Sequence, residues 1–189
     1  MISNKIKKVW NFIWNDDSIW SWIVNIILAF ILVKFLIYPG LGFFLGTTHP
    51  VVAVVSGSME HNGIGFQDWW ELNKEQYEDF NITKKEFLSY NFVNGFNKGD
   101  LIVLLGEDEI NRGDVIVFWG SDGQPIIHRT IINETNGLFF VQTKGDNNRL
   151  SRLDEVNITK DRIIGTAKYR VPYLGWFKIL FLNLIGVDV

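Results

Sequence analysis

The segment Ile19–Tyr38 is an almost unbroken run of 20 mostly apolar residues, and it constrains the architecture of the chain strongly. At about 1.5 Å per residue, a helix of this length spans roughly 30 Å, the thickness of a bilayer core. The run ends at Pro39-Gly40 and is interrupted by Asn25 and Lys34. A cleaved signal peptide or a buried core helix is the alternative, but the run is long for a signal peptide and no small-residue cleavage site follows it. We therefore predict a retained transmembrane anchor within residues 19–45.

The distribution of positive charge predicts the orientation of this anchor. Lys5, Lys7 and Lys8 precede it, whereas no lysine or arginine lies between Lys34 and Lys74. Positively charged flanks stay on the cytoplasmic side of a membrane. Residues 1–18 are therefore expected in the cytoplasm, and the chain beyond about residue 46 outside.

The composition excludes several classes of function. The 189 residues contain no cysteine, which rules out disulfides, thiol catalysis and cysteine-bound metals. The net charge of -3 and the lack of a long basic run argue against nucleic acid as a partner. The three histidines, at positions 49, 61 and 128, form no metal-binding motif such as HExxH. No metal or cofactor is expected, so hydrolytic chemistry would have to be carried by side chains.

Short β-branched runs bounded by glycine and aspartate dominate the chain after the anchor. Such runs with turn residues between them are typical of an all-β domain, and an Asn-Gly pair at 136–137 indicates a hairpin. The predicted fold is mainly β: a single N-terminal transmembrane helix followed by an all-β extracytoplasmic domain over residues 46–172. The predicted strands are Val51–Val55, Leu101–Leu105, Val115–Trp119, Ile126–Ile132, Leu138–Gln142 and Ile163–Tyr169.

Two segments depart from the β pattern. Residues 66–97 are rich in charge and contain Trp69 and Trp70. They predict a small helical insertion, in which Thr83 caps a short helix because Glu86 follows three residues later. The insertion is expected to be a solvated face, with contact of its aromatics to lipid or substrate as the alternative. Residues 173–189 are apolar but too short to span a bilayer comfortably, so they indicate either a membrane-associated segment or a core helix packed on the sheet.

One strand-like run ends in two serines separated by a glycine, Ser56-Gly57-Ser58. A serine becomes a nucleophile when a base takes its proton and a rigid backbone aims its oxygen. His128 lies in another strand-like stretch and is a candidate base, and Asp146 follows with a carboxylate that could orient it. Serine, histidine and aspartate in this order indicate a hydrolase.

Five local motifs occur in order along the chain. They are Ser-Gly-Ser-Met-Glu at 56–60, Lys-Gly-Asp-Leu-Ile-Val at 98–103, Arg-Gly-Asp-Val-Ile-Val-Phe at 112–118, Pro-Ile-Ile-His-Arg at 125–129 and Thr-Lys-Gly-Asp-Asn-Asn at 143–148. Together they resemble the type I signal peptidases, and more narrowly the archaeal and endoplasmic-reticulum branch, which has histidine where the bacterial branch has its catalytic lysine. The resemblance covers roughly residues 20–176.

The resemblance implies roles for the serines and the histidine. Ser58, directly before Met59, would be the nucleophile, and the Ser56 hydroxyl with the backbone N–H of Ser58 would donate to the oxyanion. The family usually has proline after Ser-Met-x, whereas this chain has His61. Because of that departure, His61 is a second and less favoured candidate for the base. His128 is the expected base.

Two aspartates compete to orient His128. The resembled family places an aspartate a few residues after the Gly-Asp-Asn-Asn motif. Counting back from the Ile-Ile-Gly at 163–165 leads to Asp154, with a two-residue insertion around residues 149–152. We expect Asp154 to hold the histidine and Asp146 to shape the site. Because the histidine occupies the place of the bacterial lysine, Lys144 is interpreted as structural.

The predicted function is that of a membrane-bound serine endopeptidase that removes signal peptides from preproteins outside the cytoplasm. An extended substrate would add as a strand beside Val51–Val55, with Val54, Val55 and Met59 as contacts. The expected partners are preprotein signal peptides and the lipid membrane, near the secretion translocon. The plasma membrane is favoured over the endoplasmic reticulum. The alternatives are a noncatalytic membrane-tethered β module or signal-peptidase-complex subunit.

Overall fold

The computed structural model of the chain describes residues 2–107, 109–134 and 139–187. It forms two compact units, Met1–Phe44 and Leu45–Val189. The first unit contains most of the predicted anchor, and the second contains the β domain that carries the serines and His128.

The first unit begins with helix α1 (Ile2–Asn15) and continues into a long apolar helix. Among the described residues, Ile19–Leu45 is the helix that is long and apolar enough to cross a membrane, with 27 residues. It consists of α2 (Ile19–Leu32), a π-helical turn (Val33–Ile37) and α3 (Tyr38–Leu45). The N-terminal membrane helix of the predicted fold is thus present.

The apolar run of the sequence ends at Pro39-Gly40, but the helix does not. A proline lacks an N–H and crowds the carbonyl one turn earlier, which normally breaks a helix. Here the preceding turn widens to the π form, in which the Tyr38 N–H bonds to the Val33 carbonyl. The helix therefore passes through the proline and continues to Leu45.

The second unit is built on a six-stranded antiparallel sheet, which confirms the mainly β fold. The strands are β1 (Val51–Ala53), β2 (Leu101–Leu105), β3 (Val115–Trp119), β4 (Pro125–Glu134), β5 (Phe140–Lys144) and β6 (Ile163–Val171). Their order is β1-β2-β6-β3-β4-β5, which leaves β1 at an edge of the sheet. β1 also ends two residues earlier than predicted, so the chain has left the strand before it reaches the serines.

An apolar core anchors the turn that carries the serines. Ile102 and Leu104 of β2 and Val117 of β3 are buried in one cluster, as expected where inward and outward positions alternate along a strand. Val54 and Met59, which lie on either side of the two serines, are buried in the same cluster. The turn is therefore held by core packing at both of its ends.

The insertion at residues 66–97 forms a second small core. Its helices are α4 (Phe66–Asn73), α5 (Glu75–Glu78) and α6 (Lys84–Phe87). Trp69 and Trp70 pack against Ile131 of β4 and are each 2% exposed, so these aromatics face neither solvent nor lipid. The Thr83 hydroxyl accepts a hydrogen bond from the Glu86 N–H at 3.2 Å, which confirms the predicted cap.

The predicted hairpin turn at 136–137 lies outside the described residues, while β4 and β5 pair antiparallel on either side of it.

The tail forms α7 (Trp176–Leu184), in which Ile179 is buried but Phe177 and Leu184 are 76% and 84% exposed. One side of this helix packs on the domain and the other side leaves an apolar surface uncovered.

Candidate active site

Ser58 and His128 are 70 positions apart in the sequence and meet in the folded domain. The Ser58 Oγ lies 2.9 Å from the His128 Nε2, within hydrogen-bond reach. His128 stands on β4 opposite Ile116 of β3 and is 4% exposed. The strand fixes the imidazole, and the turn after β1 brings the hydroxyl to it.

The turn at residues 145–147 holds the backbone of this serine. The Asn147 N–H donates to the Ser58 carbonyl at 2.8 Å, and the Asn147 side chain donates to the Gly57 carbonyl at 3.1 Å. Gly145 permits the approach, because a Cβ there would lie 2.7 Å from the Ser58 carbonyl oxygen and 2.9 Å from the His128 Nε2. The Gly-Asp-Asn-Asn motif thus positions the serine against the histidine.

The carboxylate beside His128 belongs to Glu155. Its Oε1 lies 2.9 Å from the His128 Nδ1, which is within ion-pair distance. The angles between the two groups do not meet those of a hydrogen bond. Contacts of this kind often tighten only when substrate binds. Glu155 is fully buried, and the Thr143 hydroxyl lies 3.4 Å from its other oxygen. A carboxylate at Nδ1 keeps the proton there, so that Nε2 can accept the proton of Ser58.

Asp154, which the sequence count placed beside the histidine, faces another way. Its carboxylate accepts hydrogen bonds from the N–H and the hydroxyl of Ser121, both at 3.2 Å, and pairs with Arg152 at 3.2 Å. Asp154 and Glu155 share one 3-10 turn, in which successive side chains point about 120° apart. Only one of two adjacent carboxylates can then reach His128.

Asp146 is the centre of a buried polar cluster behind the serine and the histidine. Arg129 donates to both of its oxygens, from Nε at 2.9 Å and from Nη2 at 2.8 Å. The Tyr77 hydroxyl donates at 2.9 Å, and the His61 Nε2 lies at 3.1 Å. Arg129 follows His128 in β4, and Asp146 lies in the turn that holds the serine. The cluster therefore ties the two halves of the site together, which supports the shaping role predicted for Asp146.

Burial and neighbouring charge change the pKa values of Asp146 and Lys144. Burial alone would raise the pKa of Asp146, but attraction to Arg129 and hydrogen bonds from His61 and Arg129 hold it well below its ordinary value. Burial lowers the pKa of Lys144 to about 8. The Lys144 ammonium donates to the carbonyls of Gly145 and Asn148 at 3.0 and 2.8 Å. These bonds stabilise the turn and agree with the structural interpretation of Lys144.

His61, the competing base, is part of the packing of the insertion. Its ring stacks on Trp69 with the centroids 3.8 Å apart and the planes 2° from parallel. The side chain is 3% exposed, and its Nε2 contacts Asp146. This position gives His61 a structural role and leaves His128 as the imidazole beside the serine.

A groove of about 320 Å³ lies beside the serines. Its lining includes Val55, Ser56 and Ser58, which follow β1, and Ile127 and His128 of β4. The Ser56 Oγ is 3.2 Å from the Ser58 Oγ, so two hydroxyls converge at the groove. Its polar and apolar parts could hold an extended peptide with the reacting carbonyl at the serines.

The groove changes the predicted set of substrate contacts. Val55 is 36% exposed and lines it, as expected. Val54 and Met59 do not, because they are only 2% and 1% exposed and belong to the apolar core.

The site has the composition of a serine hydrolase. A hydroxyl, an imidazole and a buried carboxylate follow one another at contact distances, and a second hydroxyl stands beside the first. Within the described ranges, no three His, Cys, Asp or Glu side chains come together as a metal site.

Comparison with known proteins identifies the family. No family model matches the chain. The signal peptidase complex catalytic subunit SEC11 of Lachancea thermotolerans is 29% identical over 156 residues, which cover 77% of this chain and 73% of the relative. The corresponding subunit of Dictyostelium discoideum is 30% identical over 157 residues, with 77% and 68% covered. That of Eremothecium gossypii is 28% identical over 156 residues, with 77% and 74% covered. The chain belongs to the family of signal peptidase complex catalytic subunits.

We expect Asp146→Asn to destabilise the β domain. The substitution leaves Arg129 as a buried charge without its carboxylate, and breaking a buried pair in this way typically costs about 3–5 kcal/mol. Asp154→Asn is the matched control, because Asp154 pairs with a half-exposed Arg152 and such pairs contribute about 1 kcal/mol or less. Thermal unfolding followed by tryptophan fluorescence compares the two variants. Equal melting temperatures at neutral pH would contradict the role of the buried cluster.

The destabilisation caused by Asp146→Asn should depend on pH. The folded pKa of Asp146 is lower than the unfolded one, so the charge stabilises the wild type fully above the unfolded pKa of about 3.9. That contribution is lost as the pH falls through the folded pKa. The difference in stability between wild type and Asp146→Asn should therefore be largest near neutral pH and shrink in acid.

Proposed function

We propose that this chain is a membrane-anchored serine endopeptidase that cleaves signal peptides from secretory preproteins. The observation that carries the proposal is the contact series Ser58 Oγ, His128 and Glu155, with both contacts at 2.9 Å, at the side of an open groove. Membership in the family of signal peptidase catalytic subunits supports the same activity.

The geometry supports a two-step hydrolysis. The His128 Nε2 takes the proton of Ser58 as its Oγ attacks the scissile carbonyl carbon, and the carbonyl oxygen becomes an oxyanion. Glu155 stabilises the imidazolium that forms. The imidazolium then protonates the leaving amine, the peptide C–N bond breaks, and an acyl-enzyme ester remains on Ser58. A water molecule, deprotonated by His128, then attacks the ester carbonyl carbon, and the bond from this carbon to the Ser58 Oγ breaks. The imidazolium returns the proton to the Ser58 Oγ, and the signal peptide leaves with a new carboxyl terminus.

Two donors are suited to the oxyanion. They are the hydroxyl of Ser56, which stands 3.2 Å from the nucleophile, and the backbone N–H of Ser58. Donors aimed at the developing charge act strongly because they are already oriented before the reaction. Each is expected to contribute about 10²- to 10³-fold to turnover.

The preprotein would bind as an added strand. β1 is an edge strand, and an edge offers backbone N–H and C=O groups to an extended peptide. A peptide along Val52 and Ala53, which line the groove, would bring its scissile bond to Ser58. The resemblance to the signal peptidases implies that small side chains precede the cut.

The membrane helix suits this activity because a signal peptide is itself held in the membrane at its cleavage site. The lysines before the helix favour a cytoplasmic N-terminus and an extracytoplasmic domain over residues 46–172. A substrate that is being secreted would be met near the secretion translocon. The exposed apolar side of α7 supports contact of the tail with the membrane. The relatives are eukaryotic subunits, which with the resemblance to the endoplasmic-reticulum branch favours that membrane over the plasma membrane predicted from the sequence.

The activity is tested with purified full-length protein and a secretory preprotein. We expect the wild type to release a mature protein with a defined N-terminus, identified by mass spectrometry. His128→Ala and His128→Lys should both be inactive, since a lysine placed there would lack the surroundings that lower its pKa. His49→Ala is the matched control and should cleave normally, because His49 contacts Thr48 and Trp119. Intact preprotein with every form would indicate a noncatalytic module, and an active His128→Ala beside an inactive His61→Ala would exchange the two histidines.

A further inference from the structure

Helix α1 carries an apolar stripe that the described structure leaves uncovered. Ile6, Val9, Trp10 and Ile13 follow the i, i+3, i+4, i+7 spacing of one helix face. Ile6, Val9 and Trp10 are 61%, 58% and 61% exposed. Asn4 and Asn11 lie on the opposite face. A helix with one such stripe needs an apolar partner along it.

Tryptophans mark the region where α1 joins the membrane helix. Four of the eight tryptophans of the chain lie between residues 10 and 22. Trp10, Trp14, Trp20 and Trp22 are 61%, 67%, 70% and 64% exposed. Tryptophan concentrates where hydrocarbon meets the headgroups of a bilayer. This clustering places the membrane interface at the junction of the two helices.

The length of the membrane helix places the junction at the same level. Ile19–Leu45 has 27 residues, which at 1.5 Å per residue is about 40 Å, or roughly 10 Å more than a bilayer core. If Leu45 stands at one boundary, the first two turns of α2 lie at the headgroup level of the other. The polar residues Ser21 and Asn25, which interrupt the apolar run, fall in those turns.

Hydrogen bonds fix the end of α1 to these turns. The Ser21 hydroxyl donates to the Phe12 carbonyl at 2.6 Å, and the Asn25 amide donates to the Ile13 carbonyl at 2.9 Å. Both carbonyls belong to the last turn of α1, where no helical partner is available. The C-terminal end of α1 is therefore held at headgroup depth.

The charge of α1 indicates which partner covers its apolar stripe. α1 contains Lys5, Lys7 and Lys8 and no aspartate or glutamate. We propose that α1 lies along the membrane surface, with its stripe in the boundary between headgroups and acyl chains and its lysines bound to anionic lipid headgroups. The combination of an apolar stripe, aromatic residues and lysines is the one that interfacial helices use. This surface is separate from the proteolytic site.

The absence of cysteine in the chain allows a clean labelling test. Val9→Cys and Asn11→Cys place single thiols two residues apart, about 160° from each other around the helix. Each full-length variant is labelled with the fluorophore NBD and reconstituted into phosphatidylcholine vesicles that contain phosphatidylglycerol. The label at position 9 is expected to be quenched severalfold more by spin-labelled lipid, and less by aqueous iodide, than the label at position 11.

Two results would overturn the membrane assignment. Equal quenching of the two labels would show that α1 does not present one face to lipid. Protection of position 9 from iodide without quenching by spin-labelled lipid would show that protein, and not membrane, covers the stripe.

Lipid charge is tested with the lysines. In the Val9→Cys background, replacement of Lys5, Lys7 and Lys8 by glutamine should increase iodide quenching severalfold in vesicles with phosphatidylglycerol. Replacement by arginine should preserve the protection, because arginine keeps the charge. Identical protection of the glutamine variant, or of the unaltered lysines in vesicles of phosphatidylcholine alone, would overturn the binding of anionic headgroups.

Discussion

Purified Ser58→Ala is expected to lose preprotein cleavage by about 10⁴-fold or more, because the bond-forming oxygen is removed. The substitution deletes one hydroxyl at a half-buried position, so the fold should be retained. Cleavage is measured as the rate of appearance of the mature N-terminus, and folding by thermal unfolding of the same preparation.

Ser56→Ala is the matched control for this prediction. The same atom is deleted two residues away, but the nucleophile and the backbone N–H of Ser58 remain. The expected loss is about 10²- to 10³-fold, the usual contribution of one oxyanion donor. A Ser58→Ala protein that cleaves at the rate of Ser56→Ala, or faster, would show that another residue is the nucleophile.

Glu155→Gln is expected to lower turnover by about 10³- to 10⁴-fold. An amide can hold the imidazole in the wrong tautomer, and it cannot stabilise the imidazolium that forms when His128 takes the serine proton. The effect should appear mainly in turnover and not in substrate binding, because Glu155 is buried behind the histidine. Steady-state kinetics with a preprotein or a signal-peptide substrate separate the two.

Asp154→Asn is the control for Glu155→Gln. It makes the same carboxylate-to-amide change one residue away, at a side chain that contacts Ser121 and Arg152. Its turnover should remain within a few-fold of the wild type. A severe loss in Asp154→Asn beside a nearly active Glu155→Gln would restore the assignment made from the sequence.

Much of the fold follows from local pattern. The β-branched runs between glycine and aspartate predicted the strands to within a few residues. Burial on a sheet and the formation of a turn both depend on the types of a few neighbouring residues. The π-helical turn before Pro39 was not predictable in this way. Whether a proline ends a helix or is absorbed by a π turn depends on the whole helix around it, and Pro39 is absorbed.

The site was predicted where it depends on short motifs. Ser58 and His128 lie in distinctive local sequences, and the structure brings them together. The carboxylate was missed because the choice between Asp154 and Glu155 depends on the direction of a 3-10 turn, which a count of residues cannot supply. The acidic pair itself was the available signal, since Glu155 directly follows the residue that was chosen. Arg129 and Tyr77 were missed as partners of Asp146 because one lies beside His128 and the other in the insertion.

The central claim is that Ser58, His128 and Glu155 act as one catalytic unit. Its most direct test is whether Glu155 acts only through His128. Residues that work as one unit lose their effects when the unit is already broken. Single-turnover cleavage, with enzyme in excess over a preprotein, is measured for Glu155→Gln, His128→Ala and the double variant. We predict that Glu155→Gln, so damaging in the wild type, changes the residual rate of His128→Ala by less than about twofold, within the usual limits of such cycles. If Glu155→Gln lowers the single-turnover rate by the same factor in the wild type and in His128→Ala, the claim that Ser58, His128 and Glu155 act as one unit is contradicted.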